Sequence, residues 1–178
     1  GQTRAFPRDL QTEMTQSLSI RTRSPEETER MAARLGEKLE APLIFLLNGG
    51  LGAGKTAFSK AFAKGAGSTD DTASPTYTIA ATYDSPRGPI HHFDLYRLAD
   101  PDELYETGFD DYLEDETAFL LVEWPEKAEL NGPSCVYVDI LADETAPDER
   151  TFTFTGEAPV VEAIGRALGI ADEVSDGR

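Results

Sequence analysis

Cysteine is almost missing from this chain of 178 residues. Cys135 stands alone, so no disulfide can form within the chain and its stability must come from a packed core. That residue lies in the apolar segment Cys135-Val136-Tyr137-Val138, which suits a buried small hydrophobe better than a nucleophile. Lysine is scarce as well: only Lys38, Lys55, Lys60, Lys64 and Lys127 occur, and 33 acidic residues against 16 basic ones give a net charge of −17. Such a surface repels phosphate backbones, so nucleic acid is expected to reach this protein only through a partner that supplies positive charge. The same composition also suits a salty cytoplasm, in which excess acid maintains solubility. No run approaches the roughly twenty apolar residues of a membrane span, and the N-terminus carries no apolar signal-peptide core. A cytoplasmic protein without membrane contact is expected. Internal repeats are also lacking.

What is present is enough apolar sequence, 39% of residues, to build one domain with a real core. The most informative segment is Gly49-Gly50-Leu51-Gly52-Ala53-Gly54-Lys55-Thr56, which fills every fixed position of G-x-x-x-x-G-K-[ST]. Glycines allow the backbone to curl so that its N–H groups converge on phosphate oxygens. Lys55 can reach the terminal phosphates and the Thr56 hydroxyl can join a Mg²⁺ shell. Context supports the pattern. The apolar run Leu43-Ile44-Phe45-Leu46-Leu47 enters the loop like a buried strand, and Ala57 to Ala63 leaves it as a helix with Phe58 and Phe62 on one face. A nucleoside triphosphate is the expected ligand.

Along the chain, residues 1–17 show no period and read as a flexible extension, residues 18–170 as the P-loop domain, and residues 171–178 as a fraying tail. Leu18 to Arg23 alternates like a half-buried strand. Ser24-Pro25-Glu26-Glu27 then reads as a helix start, and Met31, Leu35 and Leu39 give that helix an apolar face. Thr78–Tyr83 and Ile90–Leu95 are β-type segments separated by the turn chemistry of Asp84 to Pro89, which predicts an antiparallel pair. Residues 101–106 predict a short helix stopped by Gly108, followed by a helical turn at Asp110–Leu113. Phe119–Val122, Val136–Ile140 and Thr151–Phe154 predict strands, and Val160–Leu168 a closing helix. The expected fold is α/β, a three-layer P-loop NTPase in which a central mixed sheet carries helices on both faces.

A P-loop enzyme needs a carboxylate at the tip of a neighbouring strand, because Mg²⁺ takes hard oxygen ligands. Two candidates fit: Asp94, ending Ile90-His91-His92-Phe93-Asp94, and Glu123, ending Phe119-Leu120-Leu121-Val122-Glu123. One can serve the metal while the other orients or deprotonates the attacking water. The sequence does not decide which. His91 and His92 are adjacent on a strand, point to opposite faces and so do not share one ion easily. Trp124, the sole tryptophan, suits either the wall of a nucleotide pocket or the sheet edge.

Taken together, Asn48 to Thr56, Ser74-Pro75-Thr76-Tyr77-Thr78, His92-Phe93-Asp94-Leu95-Tyr96-Arg97-Leu98 and Val122-Glu123-Trp124-Pro125-Glu126 resemble, in order and spacing, the TsaE family, formerly YjeE. The resemblance runs over roughly residues 18 to 168. It implies an ATPase that uses ATP and Mg²⁺ and works with TsaB and TsaD to place threonylcarbamoyl on adenosine 37 of tRNAs reading ANN codons, with the transfer chemistry itself belonging to TsaD. By the same resemblance Lys55 holds phosphates, Thr56 and Glu123 hold Mg²⁺, and Asp94 takes the Walker B-like role. Thr76 and Thr78 form a switch-like loop, and Arg150 lies near the nucleotide. Many members carry an acidic residue where this chain has Gly50, and the N-terminal extension is not part of the family pattern.

Two other readings compete. A small-molecule P-loop kinase shares the loop, lysine and strand-end acid but needs an arginine-rich lid, and only Arg87 and Arg97 lie between the loop and Glu123. A non-hydrolysing module, whose nucleotide only shapes a docking surface, would use both acids as ligands and keep no base.

Overall fold

The computed structural model describes residues 15–50, 52–70, 80–95, 106, 108–123, 130 and 132–170. Seven strands, β1 (Thr15–Thr22), β2 (Leu43–Gly49), β3 (Ala80–Tyr83), β4 (Ile90–Asp94), β5 (Phe119–Glu123), β6 (Cys135–Asp143) and β7 (Ala146–Glu157), form one sheet in the order β1-β7-β6-β2-β5-β4-β3. Among the described residues four helices accompany them: α1 (Pro25–Lys38), α2 (Lys55–Gly65), α3 (Phe109–Leu113) and α4 (Ala158–Ala167). The inner strands β6, β2, β5 and β4 run parallel, and β3 on one side and β7 with β1 on the other pair antiparallel. This is the expected mixed α/β sheet, including the β3–β4 antiparallel pair.

The central parallel strands β2 and β5 read as continuous apolar runs because both of their faces are covered. Leu43, Phe45 and Leu47 of β2 pack with α1, α2 and α4, whereas Ile44 and Leu46 face the second cluster, which includes Phe93 and Phe109 of α3. Phe45 fixes the position of α2. The rings of Phe58 and Phe62 meet it edge-on with centroids 5.6 and 5.5 Å away, a pairing worth about 0.5–1.5 kcal/mol each beyond burial. Helices α1 and α2 cross closely because two glycines meet backbone. A Cβ on Gly36 would lie 2.0 Å from the Phe62 carbonyl oxygen, and one on Gly65 1.9 Å from that of Ala33.

Local signals hold at the start of α1, where the Ser24 side chain accepts from the Glu27 amide at 3.1 Å and Pro25 takes the first helical position. Several boundaries shift. Strand β1 begins at Thr15, so residues 15–17, read as the end of an extension, pair with residues 155–157 of β7. Strand β7 extends to Ala146 through a hairpin in which Asp143 accepts from the amide and hydroxyl of Thr145. The polar run 143–150 hides this extension, because its residues are half-buried or exposed and carry no apolar alternation. Gly108 caps the start of α3 with φ at +75°; the helix it is expected to stop falls largely outside the described residues. The predicted helix over 101–106 lies, apart from residue 106, outside the described residues, as do residues 1–14 and 171–178. No described helix is long and apolar enough to cross a membrane.

Candidate phosphate and metal site

Strand β2 delivers Gly49 to the carboxyl edge of the sheet, and α2 begins six residues later. Between them the chain turns sharply. Gly52 and Gly54 take φ values of +78° and +113°, which L side chains rarely adopt, and a Cβ on Gly50, Gly52 or Gly54 would meet nothing within 4 Å. Among the described residues, none fills the space beside these three glycines. Gly49 is different: its Cβ would approach the Ala53 side chain at 2.9 Å and the Ile140 carbonyl oxygen at 3.0 Å, so this glycine answers to packing.

Among the described residues no side chain caps the start of α2 and its first turn has no acid, so the positive end of the helix dipole points at the loop. Lys55, at the head of the helix, donates through Nζ to the Gly49 carbonyl oxygen at 2.6 Å. Thr56 follows it in the first turn.

The two strand-end acids come together. Asp94 and Glu123 are register partners at the ends of the adjacent parallel strands β4 and β5, and Leu47 of β2 is the partner of Glu123 on its other side. Register partners share a face, so both carboxylates lie on the side of the sheet that carries α2. A glycine-rich loop, a helix start, a hydroxyl and two carboxylates make a donor set suited to a magnesium-bound triphosphate.

A connection that sequence reasoning missed reaches Glu123 from the side. His92 Nε2 lies 3.0 Å from Glu123 Oε2, and His92 Nδ1 lies 3.2 Å from the Tyr83 hydroxyl, all three residues being buried. The available clue was register: with β4 and β5 parallel, His92 falls two residues before Asp94 on the same face. His91 indeed points the other way, hydrogen-bonding the Thr82 hydroxyl at 2.9 Å and Asp115 at 3.3 Å and meeting the ring of Tyr112. The hydroxyl and amide of Thr117, with His91 adding a smaller effect, hold the Asp115 carboxyl below its usual range.

Arg150 is expected near the nucleotide; its guanidinium bonds backbone carbonyls of the glycine-rich loop. Nε donates to the Ala53 carbonyl oxygen at 3.0 Å and Nη2 to that of Gly52 at 3.3 Å, while Nη1 donates to the carbonyls of Pro147 and Glu149. Cys135 is buried at the start of β6. Burial pushes its thiol up to about 12, with the charge of Glu157 adding to it, so it is no nucleophile. Leu51, Thr76, Thr78 and Trp124 lie outside the described residues.

The family model described as "Threonylcarbamoyl adenosine biosynthesis protein TsaE" matches residues 22–152. The chain is similar to the tRNA threonylcarbamoyladenosine biosynthesis protein TsaE of Bacillus subtilis, 35% identical over 159 residues that cover 89% of this chain and 98% of the relative. The Treponema pallidum protein of the same description is 33% identical over 125 residues, 68% of this chain and 91% of the relative. Among solved structures, the crystal structure of Bacillus subtilis YdiB superposes with a TM-score of 0.67 at 30% identity, covering 90% of this chain and 99% of that one.

Proposed function

This chain belongs to the TsaE family, and on that premise we propose that it is a cytoplasmic ATPase serving threonylcarbamoylation of adenosine 37 in tRNAs that read ANN codons, together with TsaB and TsaD. The observation that carries the ATPase reading is the convergence of the glycine-rich loop, at the start of α2, with Asp94 and Glu123 side by side on the same face of the sheet. In this reading the loop amides and Lys55 bind the phosphates, while Thr56 and Glu123 hold the metal. Asp94 orients or deprotonates the attacking water. Magnesium, when bound, neutralises phosphate charge. Thr76 and Thr78 respond to the γ-phosphate. The net charge of −17 supports indirect contact with tRNA, because long-range repulsion must be overcome by a basic partner.

The test is phosphate release and nucleotide titration, with and without TsaB and TsaD. Slow release by the isolated chain, altered by the partners, is expected. Lys55→Ala should weaken ATP binding by about 10- to 150-fold while circular dichroism stays unchanged, since it removes charge-assisted bonds worth roughly 1.5–3 kcal/mol. Tight tRNA binding by the chain alone near physiological salt overturns the scheme. Association with the partners that ignores the nucleotide present does the same, because a ligand with equal affinity for two states shifts neither.

A further inference from the structure

We propose that His92 is a positioning residue for Glu123: its imidazole, held in turn by Tyr83, fixes the carboxylate that the proposed ATPase reading assigns to the metal. The inference rests on that reading. Its physical basis is a line of three side chains from three neighbouring strands, Tyr83 on β3, His92 on β4 and Glu123 on β5, at 3.2 and 3.0 Å and all buried. A buried carboxylate is tolerated only when it is hydrogen-bonded.

Chemistry sets the direction of each bond. An ionised carboxylate has no proton to give, so Nε2–H donates to Glu123 Oε2. In the neutral ring Nδ1 then carries the lone pair, and the Tyr83 hydroxyl donates to it. One oxygen of Glu123 is thereby tied back into the sheet, and the flexible side chain at the strand end is held in one arrangement before any ligand arrives. Ligating carboxylates are oriented in this way by outer partners, and losing such a partner typically costs ten-fold or more in metal affinity. Strand β4 supplies both halves of the device, since Asp94 stands two residues beyond His92 on the same face and is the register partner of Glu123.

The experiment compares His92→Phe, His92→Gln and Tyr83→Phe with the unaltered protein by calorimetric titration of ATP, once with Mg²⁺ and once with EDTA, and by thermal unfolding. His92→Phe keeps a planar ring but removes the donor; binding of Mg²⁺-ATP should weaken about ten-fold, and binding of ATP in EDTA less than two-fold. His92→Gln retains an N–H near the Nε2 position and should recover most of the loss. Tyr83→Phe should shift Mg²⁺-dependent binding in the same direction by a smaller factor, and it serves as the deciding variant if His92→Phe does not fold. Equal weakening with and without Mg²⁺, a Gln variant as poor as Phe, or a Tyr83→Phe protein with unchanged Mg²⁺ dependence overturns the positioning role. Unaltered protein that binds ATP identically with Mg²⁺ and EDTA overturns the ATPase reading and this inference together, which separates the two failures.

Discussion

The guanidinium of Arg150 on β7 donates to the carbonyl oxygen of Ala53 inside the glycine-rich loop, 97 residues away in sequence, at 3.0 Å. A second bond to Gly52 at 3.3 Å makes the arginine a brace across the outside of the loop. A planar fork with several fixed donors can hold two neighbouring carbonyls at once, which an ammonium cannot do as well.

Arg150→Ala should therefore weaken ATP and ADP by similar factors, roughly ten-fold, because the loop that both nucleotides share loses its brace. Arg150→Lys should recover little. An arginine that instead contacted the γ-phosphate would show a loss confined to ATP, and titration of both nucleotides distinguishes the two outcomes.

Asp94 and Glu123 are register partners yet should not be equivalent. Glu123→Ala is expected to weaken Mg²⁺-dependent ATP binding, whereas Asp94→Ala should lower kcat more than it lowers binding. Equal losses in both parameters for both variants would refute this division.

Gly36→Ala should reduce the thermal midpoint by about 3–10 °C, since the added methyl meets the Phe62 carbonyl oxygen and overpacking of this kind costs about 1–3 kcal/mol. Nucleotide affinity of the folded variant should be retained. A Gly36→Ala protein as stable as the parent would show that α1 and α2 can move apart freely.

Cys135 carries a thiol raised to about 12 in the folded state, against an ordinary value near 9.0. The folded protein thus keeps a proton that the unfolded chain releases, and the sign follows: this contribution is complete below about pH 9 and is lost as pH rises toward 12. Cys135→Ala should lack that decline, which urea unfolding at pH 8.5 and 10.5 can measure against the parent. The native thiol should also resist alkylation at pH 8 and react once urea unfolds the chain.

By itself the sequence determined whatever depends on neighbours along the chain. The strand, loop and helix around Lys55, the Ser24-Pro25 helix start, the β3–β4 pair and the two strand-ending acids were legible because each is encoded by local period, capping or turn chemistry. The polar start of β7 was not, since its pairing with β6 depends on backbone bonds that leave no apolar pattern. Tertiary structure alone decided what depends on register and on the stacking of distant strands. Parallel pairing of β4 with β5 sets Asp94 beside Glu123 and brings His92 within hydrogen-bonding distance of that acid. The antiparallel run of β7 carries Arg150 to the backbone of a loop it never neighbours in sequence. These relationships arise from hydrogen bonds across 31 and 97 residues, and such separations leave no imprint on any local window.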